Sequence, residues 1–411
     1  MAPLTRARAA AEALTLLDAL SRAPAAAALV VAALNTAERK ALRLVHSQLR
    51  DAVAEATTKM GLFEFAASAG RPPTARRWPR LEELSCRGFD SKSIQVLGAE
   101  SWDRLRSLRL RLPYRDGDFR DVSCARALAA ALRRMPALRA LALESMALSD
   151  AAAEALFRAS SSAGAAQLRS LAVTQAELTP AAARSLAAIG WRLEALDLSL
   201  NFNLGAAGVA ALLAAPTFAL RHLSLSYCGL DAAALLSVAN APWPLEELDL
   251  YGNDFRAAAA GPGLAALAQH AGLRELNLGE CYLSAAGFKA LVEAVWPALT
   301  SLRTSARYGL HLDGPHALGP AAFAGFPALE ALFLEKVDLG EAGAALLASR
   351  RWTHLRRLGI PCCRLDDAGL AALARGKFPA LEWLDLGGNR LRAPPTLEDV
   401  RRWAPALRRL S

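Results

Sequence analysis

The block Leu-x-x-Leu-x-Leu-x-x-Asn/Cys-x-Leu recurs along most of the chain and leaves few folds open to it. Four copies are nearly complete: Leu193 to Leu204, with one residue inserted before the last Leu, then Leu220 to Leu230, Leu273 to Leu283 and Leu381 to Leu391. With the first Leu as register mark, blocks begin at residues 81, 105, 138, 168, 193, 220, 245, 273, 299, 329, 355, 381 and 407, at intervals of 24 to 33 residues. A period in the high twenties holds one short strand and one helix, which together make a coil. No single coil can bury its own apolar edge, so Leu196, Leu198 and Leu204 need Leu223, Leu225 and Leu230 of the next. Stacking the coils joins these edges into one continuous core.

The ninth block position holds Asn201, Asn253 and Asn389, and in other coils Cys228, Cys281 and Cys363. A side chain turned inward where the strand ends can hydrogen-bond the backbone of the turn, which would otherwise carry buried unpaired groups. Asn does this well, and Cys does it weakly while packing as a small apolar group. After the block the pattern becomes helical. Leu204, Gly208 and Leu212 repeat a spacing of four that recurs at Leu283, Gly287 and Leu291, at Leu339, Gly343 and Leu347, and at Leu365, Gly369 and Leu373. The spacing lines Leu, Gly and Leu along one helix face, where Gly permits close approach to neighbouring backbone. These residues resemble the ribonuclease-inhibitor subclass of leucine-rich-repeat proteins over residues 81 to 411. The resemblance implies an α/β solenoid of about thirteen repeats, with parallel strands on the concave side and helices on the convex side. It implies no single function, because the subclass holds inhibitors, GTPase-activating proteins, receptor modules and scaffolds.

Composition fits an intracellular repeat protein. Six cysteines in 411 residues, most at ladder positions, point to a reducing compartment rather than a disulfide framework. Cys362 and Cys363 are adjacent, so they are poorly placed to bridge or to chelate, and no C-x-x-C or H-E-x-x-H spacing occurs; neither a metal nor a cofactor is expected. Catalysis has little support. There is no G-x-S-x-G elbow, Gly376-Lys377 lacks the upstream Gly of a phosphate-binding loop, and His311 and His316 have no matched acid or nucleophile. The net charge of +9 raises nucleic acid as a partner, but Arg139, Arg169, Arg221, Arg274, Arg356 and Arg408 recur just after the first Leu, as a solvated rim would. Only Arg104, Arg106, Arg109, Arg111 and Arg115 cluster, with Tyr114 the single neighbouring aromatic, so a long basic stripe with stacking residues is missing. The longest apolar run, Ala25 to Leu34, is about half a bilayer span, and it sits late for a signal peptide, behind Glu12 and Asp18. No membrane partner is expected. The first seventeen residues are poor in acid, like an organelle transit peptide, which leaves import open beside a cytoplasmic, nuclear or cytoskeletal location.

Residues 1 to 70 lie outside the repeat and read as three helical pieces: Leu4 to Leu20, a short one after Pro24, and a longer one opening at Asn35 with Glu38 three positions on. The third carries Leu42, Val45, Leu49, Val53, Ala56 and Met60 on one face and ends near Gly61. The spacing of Pro24, Leu29, Val31, Leu34, Leu42 and Val45, with Glu38 in the link, resembles an F-box. His46 stands where that family has Cys, Leu49 where it has Trp, and Ala26 to Ala28 replace its early acidic and bulky residues. The resemblance implies that Pro24, Leu29, Leu34, Leu42, Val45 and Leu49 hold the adaptor of a cullin-type ubiquitin ligase. Without it, the same helices read as a cap over the apolar solenoid edge at Leu81 and Leu84.

Side chains alternate across a strand, so the third, fifth, seventh and eighth block positions point out of the concave face. Aromatics stand out there: Tyr227 and Tyr251 in the middle, Phe333 and Trp383 toward the C-terminal end, among Asp197, His222, Asp249, Asn277, Glu280, Arg303, Lys336 and Asp385. Phe333 and Trp383 stand two coils apart, roughly 10 Å by strand spacing. Exposed aromatics ringed by mixed charge suit a protein-binding hot spot. The sequence thus points to a non-catalytic protein-interaction solenoid over 71 to 411, with a helical F-box-like or capping module over 1 to 70. Its sharper form is a substrate-recruiting subunit of a cullin-type ubiquitin ligase. The alternatives are a scaffold or cytoskeleton-associated repeat protein, or a GTPase-activating protein inserting Arg109 or Arg111.

Overall fold

The computed structural model describes residues 59–62, 79–87, 94–95, 97–111, 121–160, 167–257, 259–311 and 317–411, with the backbone alone at 59–62, 159–160, 306–309 and 311. All but Pro79 and Arg80 fall in one compact unit, Lys59–Ala75 with Leu81–Ser411. The adaptor residues expected at Pro24, Leu29, Leu34, Leu42, Val45 and Leu49 lie outside the described residues, as do Tyr114, Arg115 and His316.

Among the described residues, fourteen strands form one sheet in chain order. They are β1 Lys59–Leu62, β2 Glu83–Arg87, β3 Ser107–Arg111, β4 Ala140–Glu144, β5 Ser170–Thr174, β6 Ala195–Asp197, β7 His222–Ser224, β8 Glu247–Asp249, β9 Glu275–Leu278, β10 Ser301–His311, β11 Ala331–Asp338, β12 Arg357–Gly359, β13 Trp383–Asp385 and β14 Arg409–Leu410. Neighbours are parallel throughout, with block positions in register, as in Leu196 beside Leu223 and Leu223 beside Leu248. From β2 onward every strand begins two residues after a block start. β1 corrects the helical reading of this segment: Met60 and Gly61 pair with Leu84 and Ser85 instead of closing a helix. The edge of β2 offers unpaired backbone groups, and a periodicity of side chains carries no sign of that demand.

Ten helices return the chain between strands among the described residues: α1 Val122–Leu132, α2 Asp150–Ser160, α3 Pro180–Ala187, α4 Gly205–Leu213, α5 Ala232–Ala239, α6 Ala260–Ala266, α7 Ala285–Glu293, α8 Gly340–Ala348, α9 Asp367–Leu373 and α10 Leu397–Arg401. Asp121, Thr179, Asp231, Ser284, Asp366 and Thr396 start six of them by accepting first-turn backbone N–H groups. The recurrent helix glycines make room chiefly for side chains, Gly287 for Leu264 of the preceding helix, while Gly369 also faces neighbouring backbone, with the Gly340 carbonyl 3.5 Å from where its Cβ would lie. A Cβ on Gly208, Gly343 or Gly369 would lie 2.6, 2.9 or 3.1 Å from Leu204, Leu339 or Leu365, the ladder Leu four positions earlier.

Inside the coils the Asn ladder makes one pattern three times. Asn253 Oδ1 accepts from the N–H groups of Cys228 and Leu230 at 3.1 and 3.0 Å, and its Nδ2 donates to the carbonyls of Leu225 and Leu250 at 2.9 and 2.8 Å. Asn201 and Asn389 repeat all four bonds in their own coils. The thiols of Cys228, Cys281 and Cys363 donate to the carbonyls of Leu198, Leu250 and Leu334 at 3.0, 3.1 and 3.0 Å. That acceptor is the sixth-position carbonyl of the preceding coil, one of the four partners Asn takes. Burial pushes these thiols, and that of Cys86, up to about 12.

Tryptophans just ahead of the blocks anchor the returns. Trp102, Trp296 and Trp352 are buried, and each Nε1 donates to the carbonyl five residues back, at Leu97, Leu291 and Leu347. The block reading missed them because they stand three residues outside it. Their signal is Trp at a fixed distance before the first Leu.

Candidate protein-binding face

Third and fifth block positions project from the helix-free face of the sheet. His222 and Arg303 are exposed there, and the other ten face residues named from the sequence are half-buried. The seventh position varies: Ser226, Gly279 and Ser305 are buried there, Ser199, Tyr251 and Glu335 are half-buried and Gly387 is exposed. At the eighth position the backbone turns left-handed in coil after coil. Ser145, Gln175, Leu200, Tyr227, Glu280, Lys336 and Cys362 have φ between 50° and 64°. This turn ends the strand and directs the ninth side chain inward. It also places Tyr227, Glu280 and Lys336 in a conformation that side chains other than Gly rarely adopt.

A groove of about 550 Å³ crosses β5 to β10, with Asp197, His222, Glu247, Asp249, Asn277 and Arg303 among its lining residues. Two of the acidic groups in it hold turns of the fold. The carboxylates of Asp197 and Asp249 accept the N–H groups of Ser199 and Tyr251 at 2.9 and 3.0 Å. Asn277 accepts that of Gly279 at 3.1 Å, and outside the groove Asp385 accepts that of Gly387 at 2.9 Å. Each bond reaches two residues along the chain and closes a turn at the strand end. His222 Nδ1 lies 3.0 Å from Glu247 in the next coil.

The aromatics gather into two rows. Phe202, Tyr227 and Tyr251 run across three coils with ring centroids 6.1 and 5.3 Å apart. Tyr227 lies over Gly252 and Tyr251 over Gly279, where a Cβ would come 2.8 Å from the second ring. Burial and the hydrogen bond with Tyr227 push the Tyr251 phenol up to about 12, so it stays neutral. Beside this row Lys336 Nζ lies 2.9 Å from Glu335 and 3.7 Å from Glu280, and the bond to Glu335 raises its ammonium pKa.

The second row is closer than strand spacing implies. Phe333 and Trp383 meet at 5.7 Å between centroids instead of roughly 10 Å. The coil between them presents Gly359, whose Cβ would lie 2.8 Å from Phe333 and 3.3 Å from Trp383. With no side chain there, the rings lean together over it. The Arg303 guanidinium sits 4.3 Å from the Phe333 centroid and that of Arg357 5.9 Å from it. Sequence reading found Phe333, Trp383 and Arg303 but missed Arg357 and Gly359. Counting the fifth position across neighbouring coils would have exposed the glycine.

Three of the six rim arginines, and Arg106 at the same block position, have partners that the block reading did not assign. Arg106, Arg169 and Arg356 lie 3.5, 3.3 and 3.2 Å from Glu82, Glu194 and Glu382, and Arg221 pairs with Glu246. Both members of each pair occupy the second block position of adjacent coils. Arg109 of β3 lies 3.2 Å from Glu144. Among the described residues no group of His, Cys, Asp or Glu could hold a metal ion, and no helix is long and apolar enough to cross a membrane.

One parallel strand per coil, a helix back and an Asn ladder at the strand ends define an α/β leucine-rich-repeat solenoid. Residues 353–374, around α9, match the family model described as Leucine Rich repeat. No curated protein sequence matches the chain significantly. Among solved structures, the chain is similar to one from the crystal structure of the Rad7 and Elc1 complex in yeast, with a TM-score of 0.41 and 14% identity, covering 99% of this chain and 98% of that one. A second likeness, at TM-score 0.33 and 18% identity over 75% of this chain and 74% of that one, is to the octameric complex of Latrophilin 3, Unc5D and FLRT2. Neither likeness carries functional information.

Proposed function

We propose that the chain is a non-catalytic protein-interaction solenoid whose partner lies on the helix-free face between β6 and β13. The observation that carries this reading is the pair of aromatic rows, Tyr227 and Tyr251 laid over glycines of the following coil and Phe333 and Trp383 leaning together over Gly359 between them. Rings held in this way keep apolar area on the surface at little entropic cost on binding, which is what a hot spot requires. Arg109 is engaged by Glu144, so the GTPase-activating reading finds no support there. The ladder thiols must be reduced to donate their hydrogen bonds, which supports a reducing, cytoplasmic compartment. Helical returns at this period support the ribonuclease-inhibitor subclass.

The sharper reading is substrate recruitment to a cullin-type ubiquitin ligase, with Pro24, Leu29, Leu34, Leu42, Val45 and Leu49 on the adaptor and the helix-free face on the target. It rests on the apolar spacing of those six residues. Quantitative affinity purification of the full-length chain and of a Leu42→Asp/Val45→Asp variant tests it. Cullin and adaptor peptides should accompany the first and be lost from the second, while other partners stay. Their absence from the full-length chain would favour the scaffold reading.

A further inference from the structure

The geometry points to an acidic, extended partner segment on the C-terminal part of the face, β10 to β14, with an aromatic or bulky apolar residue seated on Phe333 and Trp383. This inference rests on the proposed binding face and adds the chemistry of its occupant. Two rows of residues make the surface. Arg357, Trp383 and Arg409 stand side by side in register at the third block position. Arg303, Phe333, Gly359 and Asp385 do so at the fifth.

Charge decides the occupant. On the rim, Arg106, Arg169, Arg221 and Arg356 are each matched by a Glu of the adjacent coil, while Arg139, Arg274 and Arg408 are unpaired among the described residues but stand away from the face aromatics. Arg303, Arg357 and Arg409 have no carboxylate within ion-pair distance among the described residues, and two of them stack on Phe333 instead. Asp385, the one carboxylate in the two rows, is turned to the N–H of Gly387. Three guanidiniums around two half-buried rings repel one another until an anion lies between them. Carboxylates on either side of an apolar side chain would meet Arg357 and Arg409, which flank Trp383 and stand two strand spacings, about 10 Å, apart. A nucleic acid fits less well. Its phosphodiester chain would continue onto the acidic groove at Asp197, Glu247, Asp249 and Glu275, and two rings are few for base stacking.

A random peptide library panned on the full-length chain tests the occupant. Enriched sequences should carry Asp or Glu on both sides of an aromatic or large aliphatic residue, and their binding should weaken with salt. Arg357→Glu should weaken them by about tenfold or more, and so should Gly359→Val, which fills the space under the rings. Arg356→Glu, next to the face but on the rim, should change binding little. Melting temperatures of the face variants should stay near that of the unmodified chain. Basic or uncharged enriched sequences, indifference to Arg357→Glu, or displacement by a short oligothymidylate would each overturn the inference. If uncharged peptides bind and are lost on Trp383→Ala, the binding face survives and only its acidic occupant falls. If no peptide is enriched, or none responds to Trp383→Ala or Tyr251→Ala, both fall together.

Discussion

The central coils, β6 to β9, and the C-terminal coils, β10 to β14, share one block and one register but use the helix-free face differently. In the central coils Asp197, Asp249 and Asn277 look like binding groups, yet each accepts the backbone N–H two residues on. In the C-terminal coils Arg303, Phe333, Arg357 and Trp383 touch mainly one another. Asp385 is the exception there and follows the central pattern. Exposure on the face of a repeat therefore does not separate function from folding. The count of hydrogen bonds each side chain accepts from its own turn does.

The largest effect should come from beneath the face. Asn253→Ala leaves two buried N–H groups and two carbonyls without their partner and should cost about 4 kcal/mol in chemical denaturation. A cost under about 1 kcal/mol would mean that the ladder does not close the turns.

The thiols should make the same core sensitive to alkali. Their folded pKa, about 12, lies above the 9.0 of an ordinary thiol, so the unfolded chain loses its protons first as pH rises. Stability is fully present below about pH 9 and falls between there and about pH 12, by at most about 1.4 kcal/mol per pH unit for each thiol. Replacing Cys228 and Cys281 by Ala should flatten that slope. At neutral pH, Ellman's reagent should find one reactive thiol in the native chain, Cys362, and six after denaturation.

On the face itself, Asp249→Ala should cost about 1 kcal/mol of stability, because Tyr251 loses its turn bond. Arg357→Ala should stay within about 0.5 kcal/mol of the unmodified chain. Equal costs at the two positions would erase the distinction between central and C-terminal coils.

The strand register was legible because thirteen first-position leucines report burial, and burial follows a fixed period. β1 was not, since what places Lys59–Leu62 is the unpaired edge of β2 rather than any pattern of its own. The face residues were found by position, but their roles were hidden. Nothing in the alternation of a strand distinguishes an Asp that caps its own turn from one that awaits a partner. The meeting of Phe333 and Trp383 depended on Gly359, a residue legible only when the same position is compared in adjacent coils.

The division between turn-holding and partner-holding residues is tested most directly by one paired experiment. The chain, its Trp383→Ala variant and its Asp249→Ala variant are each melted, and the partner proteins each retains are quantified below the melting temperature. Trp383→Ala should melt within a few degrees of the unmodified chain, since it loses one aromatic contact of about 1 kcal/mol, while its retained partners fall by about tenfold. Asp249→Ala should melt lower and keep its partners. Unchanged retention by Trp383→Ala, or a melting temperature that collapses with it, would contradict the account.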